Sequence, residues 1–315
     1  MKRDLLSLAD LEREEILHIF SLTRRLKEKG EEAKRLSLLR GKVLGLIFHK
    51  PSMRTRVSFE VAMVHLGGHA MLLGNSEILL GERESVADVA RVLSGYMDGL
   101  VIRTFDQALV EEVASCTSIP VINGLTDLLH PCQILAALYT IQERLGRLQG
   151  LKVVYVGDGN NVAHSWLLGA AKMGLDLTIA CPPEYRPNPQ IFSRALNLAL
   201  TTGSKLMVLD NPLEAVRGAH IIYTDVWASM GQEQEKEDRA KAFSPYQVNA
   251  ALLKAAGEQA YVMHCLPAHR GEEIISEVID GPRSLVWEEA ENRLHVQKAI
   301  LIWLLGGEKA EKEFA

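Results

Sequence analysis

The stretch KVLGLIFHKPSMRTRVSFE, residues 42–60, passes from an unbroken apolar run through a proline into a helix start. Residues 42–48 predict a buried strand, because a short apolar run bounded by turn residues has no face to give to water. Ser52 to Leu66 predicts a helix closed by Gly67-Gly68. The same rhythm continues outward. DGLVIRT ends a strand at Arg103 and Thr104, IPVIN makes another, and residues 130–146 predict a helix with Pro131 in its first turn, where a missing N–H costs nothing. In the second half KVVYVG, LDLTIAC, LMVLD, HIIYTDV and AYVMHCLP read as buried strands separated by helices. Such alternation implies an α/β chain of two domains, each a parallel β-sheet flanked by helices and built from right-handed crossovers. The seam is expected within helix 130–146, before LQGLKVV. A last helix from about Glu289 to Leu305 returns to the first domain. Near the start, Asp10 is the expected N-cap of a helix carrying Ile16, Leu17, Phe20 and Leu26, with Glu12 and Glu14 near its first turn and Gly30 as its stop. The polar run GQEQEKEDRAKAF, 231–243, reads as a mobile loop.

The totals narrow the function. The chain has 315 residues, 47% hydrophobic and 24% charged, enough for two well-buried cores. A net charge of −5 argues against nucleic acid and anionic membrane as partners, so any anion must be held by a local site. Cys116, Cys132, Cys181 and Cys265 form no C-x-x-C pair, and a reduced, cytoplasmic setting is the simplest reading. MKRDLLSLADLEREE turns acidic where a secretion signal needs an apolar core, and AILIWLL is too short to span a bilayer.

The opening stretch supplies the local site. The first N–H groups of a helix are unpaired, point outward and carry partial positive charge. Ser52 is a good N-cap, Thr55 offers a hydroxyl, and Arg54 in the first turn can grip phosphate with two parallel bonds. Arg56 lies about 200° around the helix from Arg54 and is expected to pair with protein carboxylates instead. A merely solvated basic helix start is the bland alternative, which the dipole disfavours. Arg103 ends a strand, where open α/β sheets bind ligands. His130 and Gln133 share the first turn of their helix and could together hold a carbonyl or amide, although a histidine there is also an ordinary cap.

Three further stretches carry polar groups. GDGNNVAHS, 157–165, has Val162 in place of the third glycine of a dinucleotide fingerprint, and LTIACPP lacks the acidic residue that would hold a ribose. A nicotinamide cofactor is therefore not expected. Asn160 and Asn161 either present amides to a ligand or cap a loop. In DVWASMG, Asp225 follows a strand and could take an ammonium or cap a helix. HCLPAHRGEE, 264–273, suggests zinc through His264, Cys265 and His269, yet it has no C-x-x-C and no second ligand cluster, so no metal is expected. Cys265 has no neighbouring base visible from sequence that would make it a covalent nucleophile.

Taken in order, SMRTR, VARVLSGYMDGLVIRT, HPCQ, GDGNNVAHS, DVWASMG, HCLP and ENRLHVQKAIL make the chain resemble the ornithine carbamoyltransferases over essentially its whole length. The resemblance implies transfer of a carbamoyl group from carbamoyl phosphate to L-ornithine, giving L-citrulline and phosphate in arginine metabolism, without a cofactor. It implies a carbamoyl-phosphate domain over 1–140, with the C-terminal helix 289–315 packed back on it, an ornithine domain over 141–288, and an active site in the cleft between them. Ser52, Met53, Arg54, Thr55, Arg103 and Arg293 would cradle the phosphate. His130 and Gln133 would hold the carbamoyl end, with Cys265 and the Leu266 carbonyl where the amine and the carbamoyl nitrogen meet. Asn161, Asp225, Ser229 and Met230 would hold ornithine. Arg54, Arg103, His130, Asp225 and Cys265 would be catalytic, and closure of 229–243 over the substrate is expected. The family assembles as a homotrimer or multiples of trimers.

Two departures bear on this. Met53 replaces the first threonine of the usual S-T-R-T-R, at a position that contributes its backbone N–H. Leu79 stands where many relatives place a glutamine that reaches a neighbouring subunit's site. Carbamoylation of N-acetylornithine or N-succinylornithine is the nearest rival, because such relatives also depart from S-T-R-T-R. Aspartate carbamoylation lacks an extra basic loop, and a non-catalytic paralogue would not need the intact set Arg54, Arg103, His130, Cys265 and Arg293.

Overall fold

The computed structural model of the chain describes residues 2–74, 78, 84–228, 233–307 and 310. Two compact units divide it: residues up to Leu135 together with those from Arg293 onward, and Ala136–Asn292. In the first, β1 (Val43–Phe48), β2 (His69–Leu73), β3 (Gly99–Arg103) and β4 (Val121–Leu125) lie in the order β2-β1-β3-β4, all parallel. In the second, β5 (Lys152–Val156), β6 (Asp176–Ala180), β7 (Leu206–Leu209), β8 (Ile221–Thr224) and β9 (Tyr261–His264) lie in the order β7-β6-β5-β8-β9, again all parallel. The expected α/β architecture of two helix-flanked parallel sheets is present.

Strand order places the chemistry. The sequence of strands reverses between β1 and β3 in one sheet and between β5 and β8 in the other. At such a switch point the loops leaving the two strands diverge to opposite faces and open a crevice beyond the strands' C-terminal ends. Arg103 ends β3 opposite Phe48 of β1. Val156 of β5 pairs with Thr224 of β8, so the loops beginning at Gly157 and Asp225 leave side by side.

Each unit has its own core. Ile47, Leu100, Ile102 and Val121 of the first sheet pack with Val86, Leu93, Val110 and Val113 from the helices Val86–Tyr96 and Gln107–Cys116. In the second unit Val154, Val156, Ile222 and Val262 pack with Trp227, Phe243, Tyr246 and Leu252.

Several local expectations are corrected. Asp10 ends a short 3₁₀ turn capped by Ser7, and the helix Arg13–Lys29 is instead capped by Glu12, in a reciprocal box with Glu15. Glutamate can replace serine there because its longer carboxylate still reaches the free N–H groups of the first turn. Leu17 is 37% exposed rather than core. β2 escaped the sequence because it is an edge strand with a mostly exposed burial pattern, leaving no clear alternation to read. Residues 233–243 are not a loop: a 3₁₀ turn Glu233–Glu235 leads into the helix Lys236–Phe243, anchored by buried Arg239 and Phe243. The last helix runs Val286–Leu301 and continues as a π-helical turn, Ile302–Gly306. Ser229, Met230 and Leu79 lie outside the described residues.

Candidate active site

In the first unit Ser52 caps the helix Met53–His65, its hydroxyl accepting from the Thr55 N–H at 3.3 Å. The Thr55 hydroxyl accepts from Nη2 of Arg293 at 2.8 Å, although 238 positions separate the two residues. Arg56 pairs with Glu60 at 2.9 Å, as its position on the helix required. Met53 is exposed, Arg54 half-buried, and Thr55, Arg103, His130, Gln133 and Arg293 are buried.

The electrostatics show that these groups act on one another. Burial lowers the Arg103 pKa to about 10, helped by Arg293 and Arg54 and opposed by Asp127. It remains charged at neutral pH, so the unit keeps a guanidinium out of water beside two others. Burial, then Arg293, Arg103 and Arg54 in that order, hold the His130 imidazole well below its ordinary pKa. His130 is therefore neutral, a donor or acceptor rather than a cation. Nε of Arg103 is buried with no hydrogen-bond partner among the described residues. Buried positive charge of this density is stable only opposite an anion, and a helix N-terminus lies beside it. Cys132, beside His130 in sequence, has its thiol pushed up to about 12 by burial and is inert.

In the second unit, register does the assembling. Thr224 pairs with His264, so the next residues, Asp225 and Cys265, emerge as neighbours. Oδ1 of Asp225 accepts from Sγ of Cys265 at 2.8 Å and from the Val226 N–H at 2.8 Å. Oδ2 accepts from Nδ2 of Asn160 at 2.8 Å. Asn160 rather than Asn161 caps the helix Asn161–Met173, its Oδ1 accepting from the N–H groups of Val162 and Ala163. The carboxylate is thus oriented by three donors from three loops, those after β5, β8 and β9.

The glycines of GDGNN have a structural cause. Gly157 has φ of 141°, and a Cβ on Gly159 would lie 2.4 Å from the Pro187 nitrogen and 2.6 Å from the Arg186 carbonyl carbon. The close approach is to the chain's own backbone, not to a pyrophosphate. Gly159→Ala is expected to destabilise the protein by about 1–3 kcal/mol, read as a lower urea midpoint. An unchanged midpoint would show that the loop yields freely.

Asp225, His264 and Cys265 offer ligand atoms within 4.8 Å of one another, a cluster different from the His264, Cys265 and His269 grouping that the sequence suggests. Their hydrogen bonding fits a polar network. Nδ1 of His264 accepts from the Leu266 N–H at 2.8 Å, Nε2 meets Oε1 of Glu273 at 3.1 Å, and Cys265 donates to Asp225. Leu266 takes the left-handed conformation, φ 57°.

Sequence reasoning missed two charged pairs. Arg239 donates to Asp158 at 2.9 Å and to the Trp227 carbonyl at 3.0 Å, joining the helix Lys236–Phe243 to the segment that follows Asp225. Burial raises the Asp158 pKa to about 6 against the pull of Arg239. Lys50 meets Asp127. No local signal marks either pair, because their partners lie 81 and 77 positions away. Asn160 was legible: a short polar side chain directly before an apolar helical run is a cap signature.

Two parallel sheets, with clustered guanidiniums and a helix N-terminus on one and an oriented carboxylate and thiol on the other, define the class as a two-unit α/β chain. The family follows from comparison. Residues 3–143 match the aspartate/ornithine carbamoyltransferase carbamoyl-P binding domain, and residues 149–304 match the aspartate/ornithine carbamoyltransferase Asp/Orn binding domain. The chain belongs to the aspartate/ornithine carbamoyltransferase family. It is 56% identical over 304 residues to an ornithine carbamoyltransferase of Gloeobacter violaceus, covering 96% of each chain, and 53% identical to one of Pyrococcus abyssi, covering 98% and 97%. The solved ornithine carbamoyltransferase of Pyrococcus furiosus is 51% identical, with a TM-score of 0.94 over 97% of each chain.

Proposed function

We propose that the chain is an ornithine carbamoyltransferase, forming L-citrulline and phosphate from carbamoyl phosphate and L-ornithine. The buried convergence of Arg103, Arg293 and neutral His130 with Arg54 carries this reading. The first unit takes carbamoyl phosphate. The N–H groups of Met53 to Thr55 and the guanidiniums of Arg54, Arg103 and Arg293 hold the phosphoryl oxygens, with Ser52 fixing the loop. His130 and Gln133 take the carbamoyl group. The second unit takes ornithine: Asp225 and Asn161 bind its amino-acid end, joined by Ser229 and Met230. Attack by the side-chain amine forms a C–N bond and a tetrahedral oxyanion. Loss of the amine proton and breakage of the C–O bond then release phosphate. Fixed donors at both oxygens stabilise charge as it develops. An amine of pKa about 10.4 is neutral only about once in a few thousand at neutral pH, so the site must favour that form. Asp225 and Cys265 assist by holding the α-ammonium and lining the proton path, which makes Cys265 no covalent nucleophile.

The family relation and sequence similarity support the reaction. Free ornithine is favoured over N-acylated forms because a free α-ammonium has a use for Asp225. Supplying carbamoyl phosphate with ornithine, N-acetylornithine, N-succinylornithine or aspartate discriminates among the acceptors. Citrulline alone is expected. An N-acylated product in place of citrulline would move the acceptor, and no product from any amine would favour a non-catalytic paralogue.

A homotrimer is part of the proposal. Met53, Val57 and Val64 form an exposed apolar stripe on one helix, and Met71 and Leu72 are exposed on edge strand β2. Exposed apolar side chains of this kind suit burial against another copy. The assembly predicts a light-scattering mass three times 34.9 kDa or a multiple of it. A cytoplasmic location suits four free cysteines. Among the described residues, no helix is long and apolar enough to cross a membrane.

A further inference from the structure

Three polar side chains of the first unit have no role in the scheme above, although all are buried: Gln107, Asn123 and Thr126. Oε1 of Gln107 accepts from Nδ2 of Asn123 at 3.0 Å and from the Thr126 hydroxyl at 2.9 Å. Nδ2 of Asn123 also donates to the Leu6 carbonyl at 3.0 Å, and Nε2 of Gln107 to Oε1 of Glu111 at 3.1 Å. The three residues come from the start of the helix Gln107–Cys116, from β4, and from the position just after β4.

Thr126 closes the turn that delivers His130. Its N–H donates to the Leu129 carbonyl at 2.8 Å, and its Oγ1 accepts from the Leu129 N–H at 3.0 Å. Residues 126–129 thus form a closed turn, and His130 is the next residue. On the far side, Sγ of Cys132 donates to the Asn123 carbonyl at 3.5 Å, tying the first turn of the helix Pro131–Leu145 back to β4. His130 sits between these two ties. Pro131 follows it, and a residue before proline is restricted to extended backbone conformations. Little freedom is left to His130 itself, so the direction of its imidazole depends on how Leu129 is held.

We propose that Thr126 is a positioning residue: with its hydroxyl locked between Gln107 and Leu129, it aims His130 at the carbamoyl group. This rests on the carbamoyl-phosphate reading given above. The bland alternative is a satisfied polar cluster that serves stability alone. Apolar side chains of like shape could fill the same volume at little cost in stability, but they could not bond the Leu129 N–H. The two readings also differ at the two ends of the ligand. His130 holds the carbamoyl end, whereas the guanidiniums and the helix start hold phosphate. Lost aim should weaken the first and spare the second.

The test is steady-state kinetics, calorimetric titration with inorganic phosphate and urea unfolding on Thr126→Val, Thr126→Ser and Gln107→Met. Thr126→Val keeps the shape and removes the hydroxyl. It is expected to lower kcat/KM for carbamoyl phosphate about 10-fold or more, because small displacements of a reacting geometry cost heavily. Affinity for inorganic phosphate should stay within about twofold, as for independent sites. Thr126→Ser keeps the hydroxyl and should recover most of the loss. A parallel weakening of both ligands, a lowered urea midpoint with kcat/KM unchanged, or a serine variant as impaired as the valine one overturns the proposal. Should Thr126→Val not fold, Gln107→Met removes the bond from its other end and is judged by the same two ligands. If the unaltered protein makes no citrulline, the substrate reading fails on its own. The His130 imidazole NMR signals, assigned by their loss in His130→Asn, then judge the aim: a shift in Thr126→Val that Thr126→Ser restores supports it, and unshifted signals overturn it.

Discussion

Replacing Arg103 with methionine is expected to lower kcat/KM for carbamoyl phosphate about 10³-fold, the upper range for losing one fixed donor at a developing charge. Methionine keeps the apolar stem and removes the guanidinium, so folding should survive. The matched control is Arg56→Met, which removes an exposed i,i+4 pair with Glu60 worth less than about 0.5 kcal/mol. Equal effects of the two substitutions would sink the assigned cradle. The same variant has a spectroscopic consequence. Arg103 is one of the charges that depress the His130 pKa, behind burial and Arg293. Its loss should raise that pKa, followed by the imidazole NMR shifts. The sign for stability follows directly. His130 titrates lower in the folded chain than in the unfolded one, so its contribution is complete above about pH 6.5 and is lost as pH falls toward the folded value. In the unaltered protein the activity profile should therefore show no His130 limb near pH 6.5.

Asp225→Asn is expected to lower kcat/KM for ornithine about 10²-fold or more, as for one member of a buried, hydrogen-bonded charge contact. Asn160, Cys265 and the Val226 N–H all donate to this carboxylate. An amide can accept at only one of its two heads, so at least one donor loses its partner. Cys265→Ala should retain measurable transfer while altering the pH profile of kcat/KM, because its thiol lines the proton path without bonding to the carbamoyl carbon. Unchanged activity and profiles in both variants would refute the roles given to the pair. Trapping a carbamoyl thioester on Cys265 would refute the non-covalent route.

Much of the fold was legible because its signals are local. Residues 42–48 announce a strand by being apolar throughout, and Ser52 announces the helix after it by its short hydroxyl side chain. Pro131 at a first helical turn and Gly30 at a helix end work the same way. β2 was not read: Ala70 to Leu73 is an apolar run, but four residues without alternation do not distinguish a strand from other short apolar segments, and the strand lies at an edge with a mostly exposed pattern. The run 231–243 misled because polar composition was read as a loop. Its helix is held by Arg239 and Phe243, whose partners Asp158, Trp227 and Tyr246 are distant or beyond the segment.

The amino-acid order alone specifies which chemistry is carried and on which kind of element: guanidiniums beside a helix start, a carboxylate and a thiol each one residue past a strand. Those features depend on neighbours within a turn or two, where backbone sterics and short-range hydrogen bonding act. Tertiary structure alone brings Arg293 to Thr55, sets Cys265 against Asp225 and closes Lys50 onto Asp127. Such meetings depend on strand order and register, which arise from burying two whole cores and are written in no single stretch of the chain.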